Sequence, residues 1–178
     1  MLKLYKSGRH VDPLNLREID LDIHDIAHNL SLLCRYTGAF PFHYSVGQHS
    51  ILVSELMRDV GCSKEAQLAG LLHDSAEYVF GDVNFHLKKL PELVEYNRRE
   101  HIASEMIVAH FGCDPGLLTM VKEFDRAAAY MEMDVRDGKR HDIVWHPPQT
   151  IYFRFLRKFE DLSGSTIFYP SLPIHHSV

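Results

Sequence analysis

The chain of 178 residues has few cysteines, no excess of basic residues and no long apolar run. Its three cysteines, Cys34, Cys62 and Cys113, lie far apart and form no CxxC pair, which argues against a zinc knuckle and a disulfide framework. The net charge of -5 argues against a nucleic-acid partner, because binding along a phosphate backbone needs a basic surface. No apolar stretch approaches the ~20 residues that span a bilayer, and residues 1–10 carry no secretory apolar segment. We therefore expect a cytoplasmic protein with no membrane partner.

Length and composition fit one globular domain. The chain is 46% hydrophobic and 24% charged, which is ordinary for a globular protein, and it contains no repeat or linker. We expect residues 1–178 to form a single domain with a core of about residues 22–136. Residues 149–178 would pack on that core or form a subunit contact. Apolar residues near the C-terminus favour a homo-oligomer: Ile167, Phe168, Tyr169 and Leu172.

The hydrophobic pattern predicts an all-α protein, a single-domain helical bundle arranged around its third helix. Residues 1–21 are mixed in character and are expected to form a loop or a short strand pair. The last predicted helix has an aromatic spacing that also suits a strand. The predicted helices cover residues 22–36, 45–60, 63–80, 91–110, 115–136 and 151–162.

His73, Asp74 and Glu77 follow an apolar run over residues 66–72 that only Gln67 interrupts. Burying an imidazole and two carboxylates there is costly unless something neutralises them, and a bound metal ion would do so. In a continuous helix His73 and Glu77 stand one turn apart on one face, and Asp74 lies about 100° round the turn. This segment could offer two ligands to a metal and a carboxylate to a neighbouring water.

Two further predicted helices each carry one polar residue in an apolar stripe, His49 and Asp125. Taken singly, each has an ordinary explanation. A buried His usually bonds a backbone carbonyl, and a mid-helix Asp usually lies at the edge of the stripe or pairs with an Arg. Together with His73 and Asp74, they form a set of two imidazoles and two carboxylates. That set suits a divalent transition metal and leaves positions open for water and a substrate oxygen.

This pattern resembles the H…HD…D motif of the HD-domain metal-dependent phosphohydrolases. Residues 25–31 and 44–50 are similar to small bacterial and phage members of that superfamily. Gly81-Asp82 and Lys88 follow the His-Asp pair at the spacing of the bacterial 5′-deoxynucleotidases. The resemblance implies an HD-type helical fold and an enzyme that removes phosphate groups, often from nucleotides. It also implies these metal ligands: His49, His73, Asp74 and Asp125.

The resemblance further implies one divalent transition metal, for which Co²⁺, Mn²⁺, Zn²⁺ and Fe²⁺ all suit the ligand set. A second ion, Mg²⁺, could arrive with the substrate. Glu77 would position or deprotonate the attacking water, with Asp74 beside that water as the other catalytic carboxylate. Alternatively, Glu77 would only support a metal-bound His.

Four residues are candidates for contacts with the substrate. Arg35 and Lys88 would bind phosphate, although either could be an ordinary surface cation. Tyr36 stands where the related deoxynucleotidases carry a Trp near the sugar. Asp82 could accept a hydrogen bond from a sugar hydroxyl, or simply form a turn. Lys122 and Glu132 are expected to lie in a salt-bridged rim.

The function that the resemblance favours is a 5′-deoxynucleotidase that releases phosphate from deoxynucleoside monophosphates. The alternatives are a deoxynucleoside triphosphate triphosphohydrolase, for example specific for dATP, and an alarmone or cyclic-nucleotide hydrolase. A binding module with a structural metal is a further class. Residues 84–86 replace the Pro-Thr-Pro run of the deoxynucleotidases, so the base preference stays open; Phe85 among them could stack on a base.

Overall fold

Helices are the main secondary structure over residues 1–169, the part of the chain that the structure, a computed structural model, describes. The all-α prediction is therefore confirmed. Two short strands, β1 (Leu2–Lys3) and β2 (His10–Val11), pair antiparallel ahead of the helices, as expected for this region. The helices are α1 (Ile23–Leu32), α2 (Val46–Asp59), α3 (Lys64–Leu72), α4 (Glu77–Phe80), α5 (Phe85–Lys88), α6 (Val94–His110), α7 (Leu117–Arg136) and α8 (Pro148–Ser163).

Helix α3 lies at the centre of the bundle and packs against α2, α6, α7 and α8. Its buried residues occupy all sides of the helix, as an apolar central helix requires: Ala66, Leu68, Ala69, Gly70, Leu71 and Leu72. Gly70 permits the close approach of α2, because a Cβ at this position would lie only 2.6 Å from the Sδ atom of Met57. The predicted arrangement around the third helix is thus the observed one.

The same apolar core includes residues at both ends of the described chain. Leu4 and Val11 contribute from the N-terminal strand pair, and Ile151, Phe155 and Leu156 contribute from α8. Beyond α8, Ile167 packs against the core whereas Phe168 is exposed. Leu172 and the rest of residues 170–178 lie outside the described residues. Within residues 1–169 we find no helix with the length and apolar character that a bilayer crossing requires.

The third predicted helix is interrupted where the sequence suggested continuity. Helix α3 ends at Leu72, residues 73–76 form turns, and α4 begins at Glu77. The Nδ1 atom of His73 bonds the carbonyl oxygen of Gly70 at 2.8 Å. In a continuing helix that carbonyl would instead accept from the backbone N–H of Asp74. The expected one-turn relation between His73 and Glu77 is therefore wrong, since a tighter turn separates them.

The first helix is also shorter than predicted. Asp22 caps α1 by accepting from the backbone N–H of His24, but the helix ends at Leu32. A bridge between Cys34 and Ser45 then turns the chain, and residues 35–38 form a 3₁₀ turn. Arg35 and Tyr36 are thus placed by a turn rather than by a helix.

Tyr36 and Thr37 adopt left-handed backbone conformations, with φ of 57° and 51°. For a β-branched residue such as Thr37 this conformation is an outlier that stores strain of order 1–3 kcal/mol.

We expect Thr37→Gly to raise the free energy of unfolding by about 1 kcal/mol, because glycine adopts this conformation without strain. Urea denaturation would measure the gain. Thr150→Gly, in α8 and exposed, is the matched control and should give no gain; equal effects would contradict the strain.

Candidate active site

Four side chains that the sequence singled out converge between three elements. His49 comes from α2, Asp125 from α7, and His73 and Asp74 from the turn after α3. The Nε2 atom of His49 lies 3.0 Å from Oδ1 of Asp125 and 3.6 Å from Oδ2 of Asp74. The Nε2 atom of His73 lies 3.2 Å from the same oxygen of Asp74 and 3.9 Å from Oδ1 of Asp125. Two imidazole nitrogens and two carboxylate oxygens therefore surround one point.

The orientation of both imidazoles fits a metal ion at that point. The Nδ1 atom of each ring forms a hydrogen bond. That of His49 bonds Glu132 at 2.6 Å, and that of His73 bonds the carbonyl oxygen of Gly70. Each Nε2 atom is buried and has no hydrogen-bond partner among residues 1–169. Buried polar atoms are rarely left in this state, and metal-binding histidines are held in this way through the other ring nitrogen. His49, His73 and Asp74 lie close enough to hold one ion, with Asp125 alongside.

The carboxylates of the cluster favour their charged forms. Burial raises the pKa of Asp74, but the neighbouring His73, His49 and Arg35 outweigh it and hold that pKa well below its ordinary value. Burial likewise opposes the charge on His49, yet Glu132 and Asp125 raise its pKa to about 9. The carboxylates that raise the pKa of His49 would equally stabilise a cation bound at this point.

Glu77 is buried beside this cluster at the start of α4. Its Oε2 atom has no hydrogen-bond partner among the described residues, and its Oε1 atom lies 3.8 Å from the ammonium of Lys88. Burial, and then the charge of Asp74, raise the pKa of Glu77 well above its ordinary value. This carboxylate is free to exchange a proton with a small molecule in the adjoining cavity.

A cavity of about 540 Å³ opens onto the cluster. Asp74, Glu77 and Asp125 form one side of it, and its volume is in the range of small-molecule sites. A smaller cavity of about 230 Å³ touches the same three carboxylates together with His73 and Glu100. The 540 Å³ cavity also brings together the predicted substrate contacts: Arg35, Tyr36, Asp82 and Lys88. A larger cavity of about 680 Å³ lies elsewhere and is lined by none of these residues.

Both cations predicted to bind phosphate already have carboxylate partners. Arg35 is largely buried and lies 3.4 Å from Asp74 and 3.4 Å from Glu132. Lys88 donates to both oxygens of Glu100, at 2.9 Å and 2.8 Å. Burial disfavours the charge of Lys88, but Glu100 outweighs it and raises the pKa of Lys88. These two positive charges are largely neutralised within the protein.

Arg126 is a cation at the cavity that sequence reasoning missed. It lies one residue after Asp125 on α7, is exposed, and lines the 540 Å³ cavity. Within residues 1–169 it forms no ion pair, unlike Arg136 farther along the same helix, which pairs with Asp137. Its position next to Asp125 was no clear signal, because consecutive residues of a helix point about 100° apart.

The exposed wall of the cavity is formed by the segment before and within α5. Phe85 is 66% exposed and lines the cavity, so it is not part of the core. The ammonium of Lys89 lies 4.0 Å from the centre of its ring. Asp82 lines the same cavity, and burial raises the pKa of its carboxyl group. The wall thus offers an aromatic face and a carboxylate.

The prediction that Glu132 lies in a salt-bridged rim is wrong. Its side chain is 0% exposed, and it lies at the centre of the polar cluster behind His49. Burial opposes its ionisation, but His49 and Arg35 outweigh it and lower the pKa of Glu132 to about 2. The sequence did contain a signal, because Glu132 lies seven residues after Asp125 and thus on the same face of α7. Lys122, the other residue predicted for that rim, is exposed and lines the smaller cavity.

Comparison with known proteins agrees with this geometry. Residues 46–144, which contain all four converging side chains, match the family described as HD domain. The chain is 30% identical over 172 residues to the uncharacterized protein YfdR of Escherichia coli, an alignment that covers 88% of this chain and 93% of that protein. It is 43% identical over 81 residues to an uncharacterized protein of Rhodobacter capsulatus, covering 43% of this chain and 41% of that protein.

Proposed function

Because the chain belongs to the HD domain family, a family of metal-dependent phosphohydrolases, we propose that it hydrolyses deoxynucleotides as a 5′-deoxynucleotidase. The observation that carries the proposal is the cluster of His49, His73, Asp74 and Asp125 at the wall of a nucleotide-sized cavity. The reaction would convert a deoxynucleoside monophosphate and water into a deoxynucleoside and orthophosphate.

The four converging side chains would hold one divalent transition metal. The donor set of imidazole nitrogens and carboxylate oxygens suits Mn²⁺, Co²⁺, Zn²⁺ or Fe²⁺. When bound, such an ion supplies Lewis acidity toward the phosphoryl group and toward the attacking water. The carboxylates of Asp74 and Asp125, which line the cavity, would neutralise part of its charge.

Glu77 is the proton acceptor in this proposal. It would take a proton from the attacking water as the oxygen of that water bonds to phosphorus and the bond from phosphorus to O5′ breaks. The same proton can then pass to O5′ of the leaving nucleoside. Burial and the charge of Asp74 raise the pKa of Glu77, which strengthens this carboxylate as a proton acceptor, and the ammonium of Lys88, 3.8 Å away, opposes part of that shift.

The charges around the cavity favour a monophosphate over a triphosphate. A triphosphate carries several negative charges, whereas Arg35 and Lys88 are neutralised by Asp74, Glu132 and Glu100. Arg126 remains as a cation without an ion pair in the described part of the chain. Phe85 would stack on the base, and Tyr36 and Asp82 would contact the sugar, since all three line the cavity.

Arg126→Ala is expected to raise KM for the substrate about 10- to 100-fold with a much smaller change in kcat. A hydrogen bond to a charged group contributes about 1.5–3 kcal/mol, and each 1.4 kcal/mol is about tenfold. Steady-state kinetics would measure the change. Arg157→Ala removes an exposed arginine of α8 that does not line the cavity, and it should leave KM unchanged. Equal KM values for the wild type and Arg126→Ala would show that Arg126 does not bind the phosphate group.

The substrate class is tested by product identity. Metal-stripped protein would be supplied with Mn²⁺ or Co²⁺ and incubated with each deoxynucleoside and ribonucleoside mono- and triphosphate, and the products separated by chromatography. Deoxynucleoside and orthophosphate from the monophosphates are the expected products. Deoxynucleoside and triphosphate from one triphosphate would instead identify a triphosphohydrolase. No release from any of them by metal-loaded protein would contradict the proposal and favour alarmone or cyclic-nucleotide substrates.

A further inference from the structure

Glu132 is a buried carboxylate to which the proposed mechanism assigns no step. It is 0% exposed, and its Oε1 atom accepts hydrogen bonds from the hydroxyl of Tyr44 at 2.8 Å and from Nδ1 of His49 at 2.6 Å. Its Oε2 atom accepts from the hydroxyl of Tyr36 at 2.5 Å and lies 3.4 Å from the guanidinium of Arg35. A buried charge is costly unless it is this fully paired. Its partners therefore indicate what it does.

These partners belong to two parts of the site. His49 faces the proposed metal position with its other ring nitrogen, whereas Arg35 and Tyr36 line the substrate cavity. Tyr36 also holds a left-handed backbone conformation, which the surrounding contacts must stabilise. The hydroxyl bond to Glu132 is one such contact. Glu132 is thus bonded both to a proposed ligand and to the wall that would receive substrate.

We propose that Glu132 is the positioning residue of this centre. By accepting the proton of Nδ1 it fixes the tautomer of His49, so that the lone pair of Nε2 faces the metal, and it fixes the orientation of the ring. By binding Tyr36 and Arg35 it also fixes the position of the cavity wall relative to His49. This inference rests on the proposed metal centre, but it concerns a residue that the HD motif does not contain.

The test compares Glu132→Gln with the wild type in Co²⁺ affinity and in the visible absorption spectrum of bound Co²⁺. Glutamine keeps the size of the side chain but removes its charge and half of its acceptor capacity. We expect Co²⁺ to bind about 10- to 100-fold more weakly, with an altered spectrum, because residues that support a metal ligand have effects of this size. Neither readout requires the enzyme to turn over.

Asp25→Asn is the matched control. Asp25 is also 0% exposed, and its carboxylate accepts from the backbone N–H groups of Lys6 and Ser7, away from the metal cluster. The same exchange of carboxylate for amide should lower thermal stability there and leave Co²⁺ affinity and spectrum unchanged. Loss of affinity in Glu132→Gln but not in Asp25→Asn would separate positioning from general destabilisation.

A measurement on the wild type covers the case in which Glu132→Gln does not fold. ¹⁵N NMR of the histidine rings should show His49 protonated at Nδ1 both with and without a bound diamagnetic Zn²⁺ ion. Unchanged affinity and spectrum in Glu132→Gln would overturn the inference while leaving the metal centre intact. Protonation of His49 at Nε2 alone in the loaded protein would overturn the inference and would also exclude His49 as a ligand through Nε2. Absence of metal binding by the wild type would instead overturn the proposed function.

Discussion

The Asp74→Asn variant is expected to lose bound metal and at least about 10³-fold in phosphate release. Asp74 supplies the oxygen shared by the cluster, 3.2 Å from Nε2 of His73 and 3.6 Å from Nε2 of His49. An amide of the same size is neutral and is a poorer ligand for a hard or borderline cation. The ion contributes several kcal/mol to the stabilisation of the transition state, and each 1.4 kcal/mol is about tenfold in rate.

Metal content by mass spectrometry and release of orthophosphate would be measured on the same preparation. Asp82→Asn is the control, because Asp82 lines the cavity but lies outside the ligand cluster. It should keep its metal and change KM rather than metal content. If Asp74→Asn retained a full equivalent of metal and wild-type turnover, the assignment of this cluster as the catalytic centre would be wrong.

The Glu77→Gln variant is expected to keep its metal and lose about 10²- to 10⁴-fold in kcat, the usual contribution of a positioned base. Glutamine keeps the shape of the side chain but cannot accept a proton from water. Glu77 lies outside the four-residue cluster, so metal affinity should change little. Single-turnover kinetics together with metal analysis would separate the two properties.

Glu100→Gln distinguishes proton transfer from an effect on Lys88. Glu100 accepts two hydrogen bonds from Lys88, and Glu77 lies 3.8 Å from the same ammonium. If Glu77 acted only by balancing the charge of Lys88, removal of the Glu100 charge would slow the reaction at least as much. If Glu77 is the base, the Glu77→Gln variant should react far more slowly than the Glu100→Gln variant. Comparable rates in the two variants would assign Glu77 an electrostatic role.

The helical fold was predictable from the sequence because its signals are local. The apolar spacing in α2 and α7 and the cap residues Asp22, Ser45 and Ser63 fix where helices lie, and each cap bonds the backbone N–H groups that begin its helix. Residues 1–11 were harder to assign, yet the strand pair was among the structures expected.

The break between α3 and α4 was not predictable from periodicity. Residues 66–80 have a helical pattern throughout, but the ring of His73 bonds the carbonyl of Gly70 and the chain tightens into turns. This change moves Asp74 and Glu77 relative to each other, so a helical wheel places them incorrectly. The contact involved joins the ring of His73 to a carbonyl only three residues earlier, and hydrophobic periodicity carries no information on whether a side chain forms such a bond.

The metal ligands were recognisable one at a time, whereas their partners were not. His49, His73 and Asp125 are each conspicuous as polar residues in apolar stripes. Glutamates are rarely buried unless they are paired, and the partners that allow the burial of Glu132 come from distant parts of the chain: Tyr36, Tyr44 and Arg35. The neutralisation of Arg35 and Lys88 is likewise a property of the assembled site.

The most direct test of the central claim is a titration of metal-stripped protein with Mn²⁺ while orthophosphate release from a deoxynucleoside monophosphate is followed. A single centre formed by His49, His73, Asp74 and Asp125 predicts no activity without metal and a rise to a plateau at one equivalent per chain. The Asp74→Asn variant should show no rise in orthophosphate release at any ratio of Mn²⁺ to protein. Full activity of the stripped wild-type protein in excess chelator, or none at any metal concentration, would contradict the claim.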